Sequence, residues 1–125
     1  MANDDEGNGR VEVPAGTELI LCLESRFGAV IAASYELVMV GDPPVRMEQR
    51  RWNTLDFYKT NPRTWPLPNE LGPGRYLCTI VPVLQPPKTE LEIALLLGGA
   101  VVFRRTAFAD EPTYEGIASF SLTIV

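Results

Sequence analysis

Apolar and polar residues alternate along much of the chain, and this period of two predicts β-strands rather than helices. In residues 18–24, leucines occupy every second position. Such short runs, rich in β-branched and apolar residues and bounded by turn residues, are typical of strands in all-β domains. The same alternation predicts further strands at 45–52, 75–84, 89–97, 100–108 and 117–125.

Turn residues separate the predicted strands and indicate how some of them pair. The Gly-Asp-Pro-Pro sequence at 41–44 stops one apolar run just before the next, which favours a hairpin. The glycine pair at 98–99 is a two-residue hairpin signal. Pro82 lies inside the predicted strand 75–84, where it cannot donate a ladder hydrogen bond, and therefore indicates an edge strand or a bulge.

Two segments show a weaker pattern. Within residues 29–40, Tyr35, Leu37 and Met39 alternate and β-branched residues are frequent, so we expect a strand there, with one short helix as the alternative. Residues 53–74 have no regular period and collect prolines and glycines. They predict a surface connection of about twenty residues, a length that is usually functional.

These elements predict an all-β fold in a single domain. About seven or eight strands, spaced by frequent turns and without an ordinary capped helix, favour one antiparallel β-sandwich of the jelly-roll or immunoglobulin-like kind. The sandwich should carry one long aromatic-rich loop. The chain of 125 residues is long enough for one core. We assign residues 11–125 to the sandwich and residues 1–10 to a flexible acidic leader.

Charge and cysteine content narrow the classes of partner. Eleven basic and sixteen acidic residues give a net charge of −5, which argues against binding to nucleic acid or to anionic lipid. The acidic start lacks a secretory signal, and no apolar run is long enough to span a bilayer, so we expect a soluble chain without membrane insertion. The compartment is not indicated. Cys22 and Cys78 lie in apolar runs and are expected to be buried free thiols.

The composition excludes several catalytic chemistries. The chain has no histidine, which removes the commonest general base and metal ligand. Two distant cysteines cannot form a zinc site of ordinary ligand spacing, and the glycine-rich phosphate-binding motifs are absent from the sequence. We therefore expect neither a metal nor a cofactor, and no enzyme activity. Catalysis by a pair of converging carboxylates remains as an alternative.

An aromatic and polar cluster is the strongest candidate site. Both tryptophans and two further aromatic residues fall between positions 52 and 65, together with arginine, asparagine and aspartate residues. Such a mixture of flat apolar rings and hydrogen-bonding groups can hold a protein partner or a sugar. The alternative is that the rings are anchors that cover an open end of the sandwich. The candidate residues are Arg50, Trp52, Asp56, Tyr58, Asn61, Arg63 and Trp65.

These features favour binding or assembly over catalysis. The apolar fraction of 46% is high for a small sandwich, and apolar residues in short strands often lie in protein interfaces. The predicted function is a non-catalytic module for protein–protein interaction, with a protein partner and self-assembly into a homo-oligomer. The alternative is a carbohydrate-binding module that binds a glycan through the aromatic segment 50–65.

Overall fold

Nine β-strands and one short helix make up the part of the chain that the computed structural model describes: residues 9–27, 30–59, 62–68, 70–84, 90–108 and 116–125. In chain order the elements are β1 (Arg10–Val13), β2 (Leu19–Phe27), β3 (Val30–Met39), β4 (Val45–Asn53), α1 (Thr54–Lys59), β5 (Arg63–Pro66), β6 (Gly74–Leu84), β7 (Glu90–Leu97), β8 (Ala100–Phe108) and β9 (Ala118–Ile124). Most of the acidic leader predicted for 1–10 lies outside the described residues.

The strands form two packed sheets, which confirms the predicted β-sandwich. One sheet has the order β1-β9-β6-β3-β4 and the other β5-β2-β7-β8. Both predicted hairpins are present, since β3 pairs with β4 and β7 pairs with β8. Gly98 and Gly99 have φ values of 57° and 85°, the left-handed conformation that a tight two-residue hairpin turn requires.

The core is formed by alternate residues on the inner faces of the two sheets, as the period of two predicted. In β6, Tyr76, Cys78 and Ile80 are buried while their neighbours face outward. Phe103 of β8 and Phe120 of β9 lie 4.7 Å apart between ring centres, so they join the two sheets. Burial of these apolar side chains supplies most of the stabilisation that a sandwich of this size can have.

One strand pair of the sandwich is parallel rather than antiparallel. β1 runs parallel to β9, with Arg10 opposite Ser121, so the five-stranded sheet is mixed. Backbone hydrogen bonds from Val125 N–H to Val13 O and from Ala15 N–H to Val125 O continue this pairing. Alternation along a strand indicates which residues share a face, but it carries no information on the direction of the neighbouring strand.

The predicted long loop over 53–74 was wrong, because it contains α1 and β5. The Asn53 N–H donates to Asp56 Oδ2 at 2.9 Å, and the Asp56 N–H donates to Asn53 Oδ1 at 3.0 Å. This reciprocal pair is a helix capping box, which ends β4 and starts α1. The Thr54 hydroxyl donates to Ile31 O and ties α1 to β3. β5 then pairs with β2, so the strand number rises to nine.

The weaker segment at 29–40 is strand β3, as expected. Pro82 lies in a central strand rather than at an edge, and the β3–β6 pairing shifts register beside it, between Val30 and Ala32. β3 pairs with both β4 and β6, and no helix replaces it at 30–39. The Pro82 carbonyl accepts a hydrogen bond from Gly116 N–H at 2.9 Å. Within an antiparallel strand the N–H and C=O of one residue point to the same side, so the missing N–H of Pro82 faces the side where β9 pairing has already ended at Ile80. The proline therefore removes no ladder bond to β3.

Both cysteines are free thiols, as expected, although only one is fully buried. Cys78 is buried in β6, whereas Cys22 is half-buried in β2. Burial, and to a smaller extent Glu24 and Glu92, raise the pKa of the Cys22 thiol. Among the described residues, no helix has the length and apolar character needed to cross a membrane.

Candidate functional site

The two tryptophans of the predicted site meet where the edges of the two sheets come together. Trp52 on β4 is 1% exposed and lies on the inner face, opposite Ala33. Trp65 on β5 is half-buried. Their ring centres are 6.2 Å apart with planes at 75°, an edge-to-face arrangement. The aromatic pair therefore joins edge strand β4 to edge strand β5 and covers this side of the core.

The charged residues of the predicted site, Arg50, Asp56 and Arg63, contact other residues of the same chain. The Arg50 guanidinium lies 4.5 Å from the centre of the Trp65 ring. Asp56 caps α1, and its backbone carbonyl accepts a hydrogen bond of 3.4 Å from Arg63 Nη1. Arg50, Trp52 and Trp65 thus form one cluster, and Asp56 and Arg63 form a second contact beside it.

The contacts described above do not include Tyr58 and Asn61. Tyr58 belongs to α1, for which the structure gives the backbone course. Asn61 lies outside the described residues. The predicted site is therefore brought together only in part, around Trp65.

Glu48 is the residue at this position that sequence reasoning missed. Its Oε1 atom accepts a hydrogen bond of 2.9 Å from Trp65 Nε1, so it joins β4 to β5 at the same point as the aromatic pair. Glu48, Arg50 and Trp52 are every second residue of β4, so their side chains lie on the same inner face. This spacing was a signal in the sequence, because a carboxylate on the same face as a buried tryptophan needs a hydrogen-bonding partner.

A groove lies next to Glu48, beside a bulge in β4. Leu37 is paired with Glu48 and Val38 with Arg46, so Met47 is an extra residue in β4. A cavity of about 570 Å³, which we call the edge groove, lies between this bulge and the segment that follows β5. Its lining residues are Met47, Glu48, Pro66, Leu67, Pro68, Glu70 and Leu71.

Behind Glu48 lies the buried hydroxyl of Tyr35. Burial raises the pKa of the Tyr35 phenol above its usual range, and Cys78 and Glu48 raise it further. The carboxylate is thus close to the phenol, but the geometry is not that of a normal hydrogen bond, and the hydroxyl has no such partner among the described residues. Burial, followed by Glu48, likewise raises the pKa of the Cys78 thiol. All three groups face one another between the sheets.

The solvent side of the five-stranded sheet, which we call the outer face, is the second candidate surface. β6 lies at its centre, and the outward residues that follow Arg75 on this strand carry no charge. We call this row the β6 ridge. Leu77 within it is 41% exposed. The ridge consists of Leu77, Thr79, Val81 and Val83.

The outer face has a depression on each side of the β6 ridge. Outward residues of β9 are small, and a depression of about 360 Å³ lies over Ser121 and Thr123, with Arg10, Glu12 and Arg75 also among its lining residues. On the other side, a depression of about 280 Å³ lies over Ala32 and Ser34 of β3. Small side chains on β9 and β3, next to larger ones on β6, give the outer face a ridge with a trough on either side.

Charged side chains lie beside the β6 ridge as well as at the edges of the outer face. Arg10 and Glu12 are on the edge strand β1. On the opposite side, Glu36 of β3 pairs with Thr79 of the ridge and forms an ion pair of 2.8 Å with Arg46 of edge strand β4. The ridge itself therefore carries no charge, and charges of both signs flank it.

Comparisons with known proteins assign neither a family nor a function to this chain. Searches of protein-family models, of curated proteins and of solved structures each find no match to this chain. Within the described ranges, no group of three cysteine, aspartate or glutamate side chains is arranged to hold a metal ion.

Proposed function

We propose that this chain is a non-catalytic module that self-associates through the outer face of its five-stranded sheet. The observation that carries the proposal is the uncharged β6 ridge in the middle of that face. A sheet with one solvated face normally alternates apolar residues inside with polar residues outside. β6 instead presents Leu77, Val81 and Val83 outward, while Tyr76, Cys78 and Ile80 fill the core.

The distribution of charge over the outer face supports a protein partner. Protein interfaces are depleted in charge at their centre and polar at their rim. On the outer face the β6 ridge is uncharged, and Arg10, Glu12 and Arg46 lie on the edge strands. Glu36, which lies beside the ridge on β3, is paired with Arg46. A rim of both signs favours a partner that also carries both signs.

The shape of the outer face supports a second copy of the same chain as that partner. A two-fold axis that runs along the strands, between β6 and β9, would lay β6 of each copy over β9 of the other. The β6 ridge of one copy then enters the trough over Ser121 and Thr123 of the other, and the contact is reciprocal. The trough over β3 is smaller, at about 280 Å³ against about 360 Å³.

The area of the outer face fits a small, reversible dimer interface. With the axis between β6 and β9, the four strands β1, β9, β6 and β3 overlap with the partner, a width of about 19 Å, and the run from Arg75 to Val83 is about 27 Å long. Each copy can therefore bury up to about 520 Å², or about 1,000 Å² for the pair, which is at the lower end of the size of specific interfaces.

The aromatic cluster supports an anchoring role more than the alternative of sugar binding. A stacking platform needs an exposed ring face, but Trp52 is buried and the Arg50 guanidinium lies over Trp65. Asp56, a predicted hydrogen-bonding partner of the sugar, caps α1. These contacts stabilise the sandwich edge and leave little of the cluster free for a glycan.

A pair of leucine variants tests the proposal. Leu77→Arg puts a charge on the β6 ridge, whereas Leu55→Arg makes the same change on α1, where Leu55 is 56% exposed and is not part of the ridge. Sedimentation velocity should show that Leu77→Arg is monomeric and that Leu55→Arg associates as the wild type does. If wild-type association is unchanged in Leu77→Arg, the outer face is not the interface.

A further inference from the structure

The edge groove is a small-ligand-sized site whose chemistry differs from that of the outer face. Its volume of about 570 Å³ lies within the range of about 300–1,000 Å³ of small-molecule sites. Met47, Pro66 and Pro68 supply apolar walls, and Leu67 and Leu71, both buried, form its inner part. The groove can therefore hold an aliphatic chain.

The polar side chains that line the edge groove are both carboxylates. Among the described residues, Glu48 and Glu70 are the ionisable ones that line the groove, and no described basic side chain lines it. The nearby Arg50 guanidinium contacts the Trp65 ring, with its Cζ atom 4.5 Å from the ring centre. The groove thus combines apolar walls with two negative charges, which favours a positively charged ligand with an apolar stem.

Glu48 is held so that it can meet such a ligand. Trp65 Nε1 donates to its Oε1 atom and fixes the carboxylate at the junction of β4 and β5. A carboxylate can accept about four hydrogen bonds. The Tyr35 hydroxyl next to it is fully buried and has no partner of normal geometry among the described residues. Glu48 therefore keeps acceptor capacity beyond its bond to Trp65.

We infer that the edge groove binds the arginine side chain of an extended peptide segment of a partner protein. A guanidinium is flat and weakly hydrated, so it packs against Met47, Pro66 and Pro68 at a lower desolvation cost than an ammonium group. Its five donors can reach a carboxylate in paired fashion. The aliphatic stem of the arginine covers the apolar wall, and apolar neighbours in the peptide contact Leu71.

The test uses capped Leu-Arg-Leu tripeptide and its citrulline counterpart, which has the same shape without the charge. The Trp65 indole N–H resonance is a reporter, because that group donates to Glu48. We expect the arginine peptide to shift this resonance saturably and to bind at least about tenfold more tightly than the citrulline peptide. Equal binding of the two peptides, or the absence of a saturable shift, would overturn the inference.

Matched carboxylate variants locate the site. Glu48→Gln and Glu70→Gln should each weaken the binding of the arginine peptide by about tenfold, whereas Glu90→Gln on β7 of the four-stranded sheet, outside the lining of the groove, should leave its affinity unchanged. Glu70 is exposed, so Glu70→Gln tests the charge without disturbing the junction at Trp65. Wild-type affinity in both groove variants would contradict the assignment. The result is independent of self-association, which is measured on the outer face.

Discussion

Trp65 Nε1 donates a hydrogen bond of 2.9 Å to Glu48 Oε1, and this bond connects the edge strands of the two sheets. The Trp52 ring packs edge-to-face against Trp65 at the same place. The residues predicted as a binding cluster thus hold the sandwich together along its β4–β5 side.

The first prediction concerns this bond. Glu48→Leu removes the acceptor of the Trp65 indole N–H, whereas Glu48→Gln keeps one. Loss of a partner for a partly buried donor costs about 1–3 kcal/mol, so Glu48→Leu should be less stable than Glu48→Gln by about 1 kcal/mol. Urea unfolding of both variants measures the difference. Equal free energies of unfolding would mean that the bond does not stabilise the edge.

The second prediction concerns the buried tryptophan. Trp52 is 1% exposed, and truncation of a buried tryptophan to alanine costs about 3–5 kcal/mol. Trp52→Ala should therefore lower the melting temperature by about 10 °C or more. Leu55→Ala, two residues after β4 ends and 56% exposed, is the control and should change it little. A melting temperature close to that of the wild type in Trp52→Ala would show that the ring is not an anchor.

The third prediction concerns the close approach at Gly116. A Cβ atom there would lie 2.9 Å from Phe108 O and 3.3 Å from the Ala107 Cβ. Gly116→Ala must displace backbone at the end of β8 and should destabilise the protein by about 1–3 kcal/mol. Gly72→Ala is the matched control, because no atom lies within 4 Å of its added Cβ. Calorimetry of the two variants compares them, and the account fails if Gly116→Ala is as stable as Gly72→Ala.

The fourth prediction concerns alkaline pH. Burial raises the pKa values of Tyr35 and Cys78 in the folded state. The folded protein therefore keeps protons that the unfolded chain loses once the pH exceeds the ordinary values of about 8.5 for cysteine and about 10 for tyrosine. Stability from these groups is complete below those values and falls as pH rises above them, by on the order of 1 kcal/mol per pH unit for each group.

Urea unfolding at neutral pH and at about pH 10.5 measures this fall. Tyr35→Phe removes the contribution of the phenol, so its stability should decline less steeply than that of the wild type. The same slope in both proteins would show that Tyr35 ionises normally in the folded state.

Alternation predicted most of the fold because most strands have one face in the core. The strand expected at 100–108 is β8 (Ala100–Phe108), and the one expected at 75–84 is β6 (Gly74–Leu84). β1 and β5 have four residues each, too few to show a period. α1 begins with the Asn53–Asp56 capping box, a pattern that the sequence contains but that periodicity does not detect.

The sequence predicted where the aromatic cluster lies, but it left open whether the rings bind a partner or anchor the fold. Trp52 and Trp65 are close in the chain, and both contact the same sheet edges, so the cluster could be found. Its burial depends on β5 lying across from β4, which is a long-range contact that no local pattern reveals. The same is true of the edge groove, since its lining joins Met47 and Glu48 of β4 to residues 66–68, 70 and 71, which are distant in the chain.

The most direct test of self-association is sedimentation velocity of the wild-type chain over a roughly hundredfold range of concentration. The account predicts a sedimentation coefficient that rises with concentration from the value of a 13.8 kDa monomer to that of a dimer. A coefficient that stays at the monomer value over the whole range would contradict it.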